Sequence, residues 1–375
     1  MKRSYVVVTV SLLALAAVPL SGQQSTDVRL AVLFENYSFE SGLPYKSLSE
    51  VTVPVGIDLG LGRVGSLALS GGWTSVSLND EDADPGDQKQ PSLMDTEARL
   101  SLNVIPGNLV LLANGAIPTG VKTVHRDELS ILGAIASDVI GLAASQLGTG
   151  GNVGGGFVGA IPLGRWALGL GGTYKQPLSY VPVIGETDEL KPGAEFRTRA
   201  GVEGPIGRRS YLRVAGIYAM RSKDAVGDEP QHGIGNRIVG YVSLNQGIGS
   251  SSLVLYGFDV FRSDAQVEPT AIGAAVLPRG NLIVAGARWA FNMGSGATLS
   301  PRAEFRLSAQ APDTLDNALA LRGRSIRGGL DLRAQLSSVA SLVFQVDGIT
   351  GFVREAGENV GLKGFRVAVH TEFRP

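Results

Sequence analysis

Between Ser325 and Ser337 the chain reads SIRGGLDLRAQLS, and two classes of residue are interleaved through it. Ile326, Gly328, Leu330, Leu332, Ala334 and Leu336 alternate with Arg327, Gly329, Asp331, Arg333 and Gln335. Successive side chains of an extended chain point to opposite sides, so this segment is a strand with one apolar face and one charged face. The pattern recurs. Val51, Val53, Val55, Ile57 and Leu59 oppose Thr52, Gly56 and Asp58; Ala98, Leu100, Leu102 and Val104 oppose Asp95, Glu97, Arg99, Ser101 and Asn103. Phe196, Thr198, Ala200 and Val202 oppose Glu195, Arg197, Arg199 and Glu203, and the last strand sets Phe365, Val367, Val369 and Phe373 against Arg366, His370 and Glu372. Each is a period-two strand.

About sixteen such segments are expected, with fourteen as the alternative, and their connections take turns between two kinds. One kind is tight: GLGR at 60–63, PGN at 106–108, LGR at 163–165, GRR at 207–209, GIGSS at 247–251, NMGSG at 292–296 and SSVAS at 337–341. The other is mostly longer and polar: ESGLPYK, NDEDADPGDQKQPS, the whole of 119–151, VPVIGETDELKPG, KDAVGDEPQHGIG, DAQVEPTAIGAAVLPRG, QAPDTLDNALALRG and REAGEN. Strands of about 10–14 residues are close to the length a tilted strand needs to cross hydrocarbon, and longer than the usual 5–6 of a soluble sandwich. Hydrocarbon cannot satisfy backbone N–H and C=O groups, so a sheet placed in it must close on itself. The expected fold is therefore all-β: a transmembrane antiparallel up-and-down β-barrel with short periplasmic turns, long extracellular loops and one loop helix near 127–147. Its apolar residues face lipid and its charged residues a watery interior.

Lys2 and Arg3 precede an apolar run from Tyr5 to Leu20, followed by Ser21 and Gly22. That layout predicts a secretory signal peptide over 1–22 and a single barrel domain over 23–375. Without cysteine, neither disulfides nor lipid attachment at a thiol can form. The 33 basic and 34 acidic residues fall to 31 against 34 once Lys2 and Arg3 are removed. That balance excludes the basic excess a nucleic-acid partner would select. The 51 glycines suit many turns and strongly curved strands.

In architecture the chain resembles Gram-negative outer-membrane β-barrels of the porin and transport-channel kind along its whole mature length. Trp166, Trp289, Phe291 and Phe373 fall beside tight turns or at the C-terminus, where an interfacial aromatic girdle belongs. Phe373 resembles the family's terminal aromatic assembly signal, although Arg374 and Pro375 follow it. The resemblance implies location in the cell outer membrane, surrounding lipid, a small-molecule solute, and a C-terminal strand recognised by the barrel assembly machinery. A looser resemblance, carried by AIPTG and the hydrophobic loop after it, is to barrels that transport fatty acids or aromatic hydrocarbons. Those fatty-acid channels carry an N-terminal plug, whereas here the strand DVRLAVLFENYSF directly follows the signal.

Parity assigns to the lumen Asp58, Asp95 and Glu97 from early strands and Arg197, Arg199, Arg213, Arg237, Arg288, Arg302, Arg306, Arg327, Arg333 and Arg366 from later ones. Arginine ladders in a low-dielectric wall favour anions and polar solutes. The alternative is that they pair with Glu195, Glu203, Glu304, Asp331 and Glu372 and stiffen the wall. Within the loop 119–151, Leu129, Leu132, Ala136, Val139, Ile140, Ala143 and Leu147 recur at helical spacing, and Ile131, Ile135 and Leu142 widen the stripe. Such a helix does not sit free in water: it folds into the mouth as a gate or packs inertly on the rim.

Other motifs carry less. GLGRVG at 60–65 is followed by a second strand rather than the helix that receives a pyrophosphate, so it reads as a hairpin turn. Asp80, Asp82 and Asp84 imitate a calcium loop, but Pro85 stands where that loop needs glycine and Pro91 where it needs glutamate. No metal or cofactor site is expected. His125, His232 and His370 lack a positioned serine and acid, so the chain is not expected to be an enzyme. The leading reading is passive uptake of small solutes through an Arg-lined lumen constricted by the 119–151 loop. The others are a structural or surface-binding barrel with a blocked lumen, and a carrier of hydrophobic compounds.

Overall fold

The computed structural model describes residues 25–79, 87–271, 279–294, 296–311 and 318–374. The expected signal peptide, and the acidic loop with Asp80, Asp82 and Asp84, lie outside the described residues. Strands form where alternation was read. Ahead of the long loop come β1 (Thr26–Phe39), β2 (Ser47–Gly60), β3 (Gly65–Asn79), β4 (Asp87–Ile105) and β5 (Leu109–Ile117). After it come β6 (Asn152–Leu163), β7 (Trp166–Pro177), β9 (Glu195–Pro205), β10 (Ser210–Arg221), β13 (Arg237–Ile248) and β14 (Ser251–Arg262). The chain finishes with β15 (Gly280–Gly294), β16 (Ala297–Gln310), β17 (Ala320–Gln335), β18 (Ala340–Glu355) and β19 (Glu358–Phe373). Three two-residue strands, β8 (Leu190–Lys191), β11 (Ala225–Val226) and β12 (Glu229–Pro230), make a separate small sheet among the loops.

The sixteen long strands pair antiparallel in sequence order, and β1 pairs with β19 from Val28 opposite Phe373 to Phe39 opposite Leu362. The ring is closed and leaves no edge strand. This is the up-and-down barrel the alternation predicts, with sixteen strands rather than fourteen.

Parity holds along most of the wall and switches in β4 between Ser92 and Asp95, where the β3–β4 register shifts and both residues face the loop. On β17, Ile326 and Leu330 project outward at 56% and 52% exposure, while Ser325 and Asp331 on either side of them are buried. Phe34, Phe344, Val346, Phe365 and Val367 continue the same exterior band on β1, β18 and β19. An uninterrupted apolar exterior on a closed barrel belongs against hydrocarbon, because water would leave that whole area unfavourably solvated.

The tight turns gather at one end with Thr26 and Phe373, and the long connections at the other. Three connections differ from expectation. β4 starts at Asp87 and β17 at Ala320, so part of each polar stretch read as loop is strand. REAGEN is a two-residue hairpin, because Glu355 pairs with Glu358. Ala356 and Gly357 there take φ of 48° and 88°, the left-handed pair that matches strand twist.

The expected helix over 127–147 is much shorter. A 3-10 turn at Arg126–Glu128 leads into α1 (Leu129–Ile135), and from Ala136 the chain leaves the helix. Its polar backbone groups are taken by the barrel wall instead, and Gly141 at φ 62° turns the chain where a Cβ would collide with the Arg306 guanidinium. This loop packs inside the long-loop end. Ile131, Ile135, Val139, Ile140, Leu142 and Leu147 bury against Tyr37, Phe39, Leu48, Val76, Leu78, Ile349, Val360 and Leu362 of the inner wall.

Replacing outward Val346 by Arg is expected to cost about 2–4 kcal/mol in urea unfolding from phospholipid vesicles. The same change at the neighbouring inward residue Gln345 is expected to cost much less, and equal costs at both positions would contradict the lipid-facing assignment.

Candidate functional site

The loop between β5 and β6 crosses the lumen, held at both ends and in the middle. Near its ends, Asp95 accepts hydrogen bonds from Gly120 N at 2.9 Å, Thr149 N at 2.7 Å and the Thr149 hydroxyl at 2.8 Å. In the middle, Ala143 N donates to Glu35 Oε2 and Ala144 N to Glu50 Oε1, each at 2.8 Å. The carbonyls running the other way are also met: Ser325 Oγ donates to Val139 O at 2.8 Å, Arg327 to Ile140 O at 3.0 Å and Arg366 to Gly141 O at 3.0 Å. Arg366 also pairs with Glu35, and the Tyr37 hydroxyl donates to Glu35 at 3.1 Å. Buried carboxylates that accept N–H donors and face a guanidinium are the low-energy way to keep charge in such a place. These contacts press the loop against β1–β4 and β17–β19.

The residues expected to form the gate divide accordingly. Val139, Ile140 and Leu147 are buried against the wall, Leu132 packs partly against it, and Leu129, Ala136 and Ala143 remain exposed. Glu35, Glu50 and Tyr37, the principal anchors, were not among the expected site residues. The signal for Glu35 and Tyr37 lies in LFENYSF, where Leu33, Tyr37 and Phe39 are buried inward although Val32 and Phe34 face out. Loss of clean alternation marks the docking wall.

Most lumen arginines have partners, including all five acids the pairing alternative names. Arg197 and Arg237 reach Glu195 at 2.5 and 3.6 Å, Arg213 reaches Glu203 at 2.5 Å, and Arg306 reaches Glu304 at 2.8 Å. Arg333 meets Glu372 at 2.8 Å, Arg288 meets Asp331 at 3.4 Å, and Arg302 bridges Asp331 and Asp347. Asp58 pairs with Arg29. Arg327 and Arg366 hold the loop, as does Asp95. Among the described residues Glu97 and Arg199 have no ion-pair partner, and neither do Arg99 and Lys175, which were not singled out from sequence.

Arg99, Lys175 and Arg199 stand on the arc the loop leaves uncovered, and Glu97 stands at the loop's edge. The inner faces of β5, β6 and β7 carry small residues, among them Ala116, Gly154, Gly156 and Gly171, which keep this side of the bore wide. A recess of about 290 Å³ lies there, lined by Glu97, Arg99, Asn114, Lys175 and the Glu195–Arg197 pair. It adjoins one toward the long loops through Glu195, and one of about 370 Å³ toward the tight turns through Ser70 and Arg99. A side recess sets Glu97 against Gln146–Thr149 of the loop. The hollow is thus a trough that runs along β3–β10 past the folded loop and, toward the tight turns, spreads over β1, β2 and β19.

The aromatic residues sit at the tight-turn end. Trp289 stacks on Phe291 with centroids 4.8 Å apart and donates to Ser251 Oγ at 3.0 Å. Trp166 lies over Gly204, where a Cβ would come within 2.6 Å of the indole. Phe373 ends β19 opposite Val28, and Arg374 beyond it pairs with Asp27 at 3.2 Å. The histidines are dispersed: His125 precedes the 3-10 turn, His232 accepts a hydrogen bond from Glu268 N, and His370 lines the lower recess near Glu372. Outside the strands, the hydrogen bond from Lys223 and those from Thr270 hold the Glu268 carboxyl below the usual carboxylate range. Among the described residues no group of three or more His, Asp or Glu side chains is placed to hold a metal ion.

The architecture is that of outer-membrane barrels of the porin and transport-channel kind: sixteen antiparallel strands, closed, with tight turns at one end and long loops at the other. No protein-family model and no curated protein sequence matches the chain. Similar solved structures include Pseudomonas aeruginosa OpdQ, at 11% identity and TM-score 0.47 over 94% of this chain and 99% of that one. P. aeruginosa OccK9 (OpdG) has 11% identity and TM-score 0.48 over 94% and 99%, and Acinetobacter baumannii OccAB3 has 9% and 0.47 over 94% and 100%. Likeness at this level bears on neither solute nor mechanism.

Glu35→Ala is expected to free the Ala143 amide and strand Arg366 without its partner. Hydrogen bonds to charged groups contribute about 1.5–3 kcal/mol, so amide exchange over 139–147 is expected to speed up roughly 10- to 100-fold. Exchange in the β15–β16 pairing should not change; unaltered protection of 139–147 would show that the pin is idle.

Proposed function

We propose that this chain is a passive, non-enzymatic channel of the cell outer membrane, taking small polar solutes through a lumen narrowed by the 119–151 loop. The observation that carries the reading is the trough: adjoining recesses lead from the long-loop end to the tight-turn end beside a loop pinned to the other wall. Sixteen-stranded barrels are wide enough to leave an aqueous bore, and a loop held to one side reduces that bore without filling it. In this reading the tight turns are periplasmic, the long loops extracellular, and outer-membrane lipid surrounds the apolar band. The strand ending in Phe373 is the one offered to the barrel assembly machinery.

Selectivity falls to the charges left without partners. Arg99, Lys175 and Arg199 outnumber Glu97, so the trough carries a positive bias even though the paired arginines contribute little net field. The arginines of β15–β19 stiffen the wall and hold the loop. Inward apolar residues at the mouth are consumed by loop packing, which speaks against a path for hydrocarbons.

A blocked barrel is the competing reading, favoured by the apolar core that the loop builds inside the mouth. Planar-bilayer recording separates the two. Discrete conductance steps are expected from the purified protein, and deletion of residues 127–147 should enlarge them. A membrane that stays silent with both proteins would reject the channel.

A further inference from the structure

The central recess carries both signs of charge, and they are not spent on each other. Glu97 and Arg99 stand on the same inner face of β4, two residues and about 7 Å apart along the strand. Neither has an ion-pair partner among the described residues, although both line the same recess. Across the floor, Arg99 stands opposite Asn114, Asn114 opposite Gly154, and Gly154 opposite Lys175. The glycine adds no side chain of its own, and the neutral Asn114 amide lies over it between the guanidinium on one bank and the ammonium on the other. The neighbouring Glu195–Arg197 pair is closed at 2.5 Å, so it does not neutralise the open set.

We infer that this recess is a transit site for small zwitterions, solutes carrying an ammonium and a carboxylate a few bonds apart. The inference rests on the channel reading and names the solute class of that same lumen. The solute's ammonium faces Glu97, and its carboxylate faces Arg99 and then Lys175 as it moves across the glycine floor. A simple anion is attracted by two of these groups and repelled by the third, and a simple cation meets the reverse. A zwitterion matches both signs at once, which is electrostatic complementarity without net charge. The charges stand in water, so the attraction is modest, and a conduit requires that: a solute held tightly would not leave.

The test is swelling of proteoliposomes containing the full chain, in isosmotic γ-aminobutyric acid or in γ-hydroxybutyramide, a neutral molecule of nearly the same size. The zwitterion is expected to enter about threefold faster, a ratio in keeping with weak, solvated charge pairs. Glu97→Gln and Arg99→Gln should each bring that ratio to about one and leave γ-hydroxybutyramide entry unchanged, since neither residue anchors the loop. Equal rates in the unmodified protein, or a preference that survives both substitutions, would overturn the zwitterion site while the channel stands. Entry of neither solute would overturn both.

Discussion

A backbone amide in hydrocarbon has no water to bond with, and everything in this molecule follows from where its amides find partners instead. With an exterior as apolar as that of β17–β19, each strand must be paired on both sides, so β1 has to return to β19. Closure at sixteen strands then fixes a width that wall side chains alone cannot fill. A hollow of that size invites a chain segment to enter it, and the segment between β5 and β6 does so. It too must satisfy its polar groups, which explains why it carries so few internal hydrogen bonds and so many to Asp95, Glu35, Glu50, Ser325, Arg327 and Arg366.

The inner wall is consequently divided in function. From β15 to β19 its charges are cross-linked in pairs and, toward the mouth, committed to the loop. From β4 to β9 it is lined by glycines and small polar groups, and there Glu97, Arg99, Lys175 and Arg199 stand without ion-pair partners beside the bound Asp95 and the closed Glu195–Arg197 pair. A single residue type therefore serves two purposes. Arg302 is locked between two aspartates, whereas Arg99 faces open space. Counting lumen arginines would overstate the field inside the barrel; the partners decide which of them count.

Alternation is a local signal with a period of two, and so the strands, their inward and outward faces and their number were legible in sequence. Asp331 and Ile326 are on the sides that SIRGGLDLRAQLS assigns to them. The loop was legible only as apolar. Helical spacing in 127–147 reflects residues that bury, but burial here is against a wall built from both ends of the chain, and that wall competes for the same backbone groups a helix would use. The polar residues of REAGEN suit a loop or a tight hairpin equally, and register decides between them. Free and paired arginines cannot be distinguished along one strand, since the partner lies on another. Arg99 and Lys175 are separated by 76 positions in sequence and by two strands in the sheet.

The seam between β1 and β19 has a consequence for the order of events in assembly. Glu35 and Arg366, 331 residues apart, meet only when the first and last strands join, and between them they grip Ala143 and Gly141. A partly zipped sheet has no cradle for the loop to dock into. Closing the cylinder must therefore come before seating the loop, so the barrel forms hollow and takes in its own segment only after its two most distant strands have found each other.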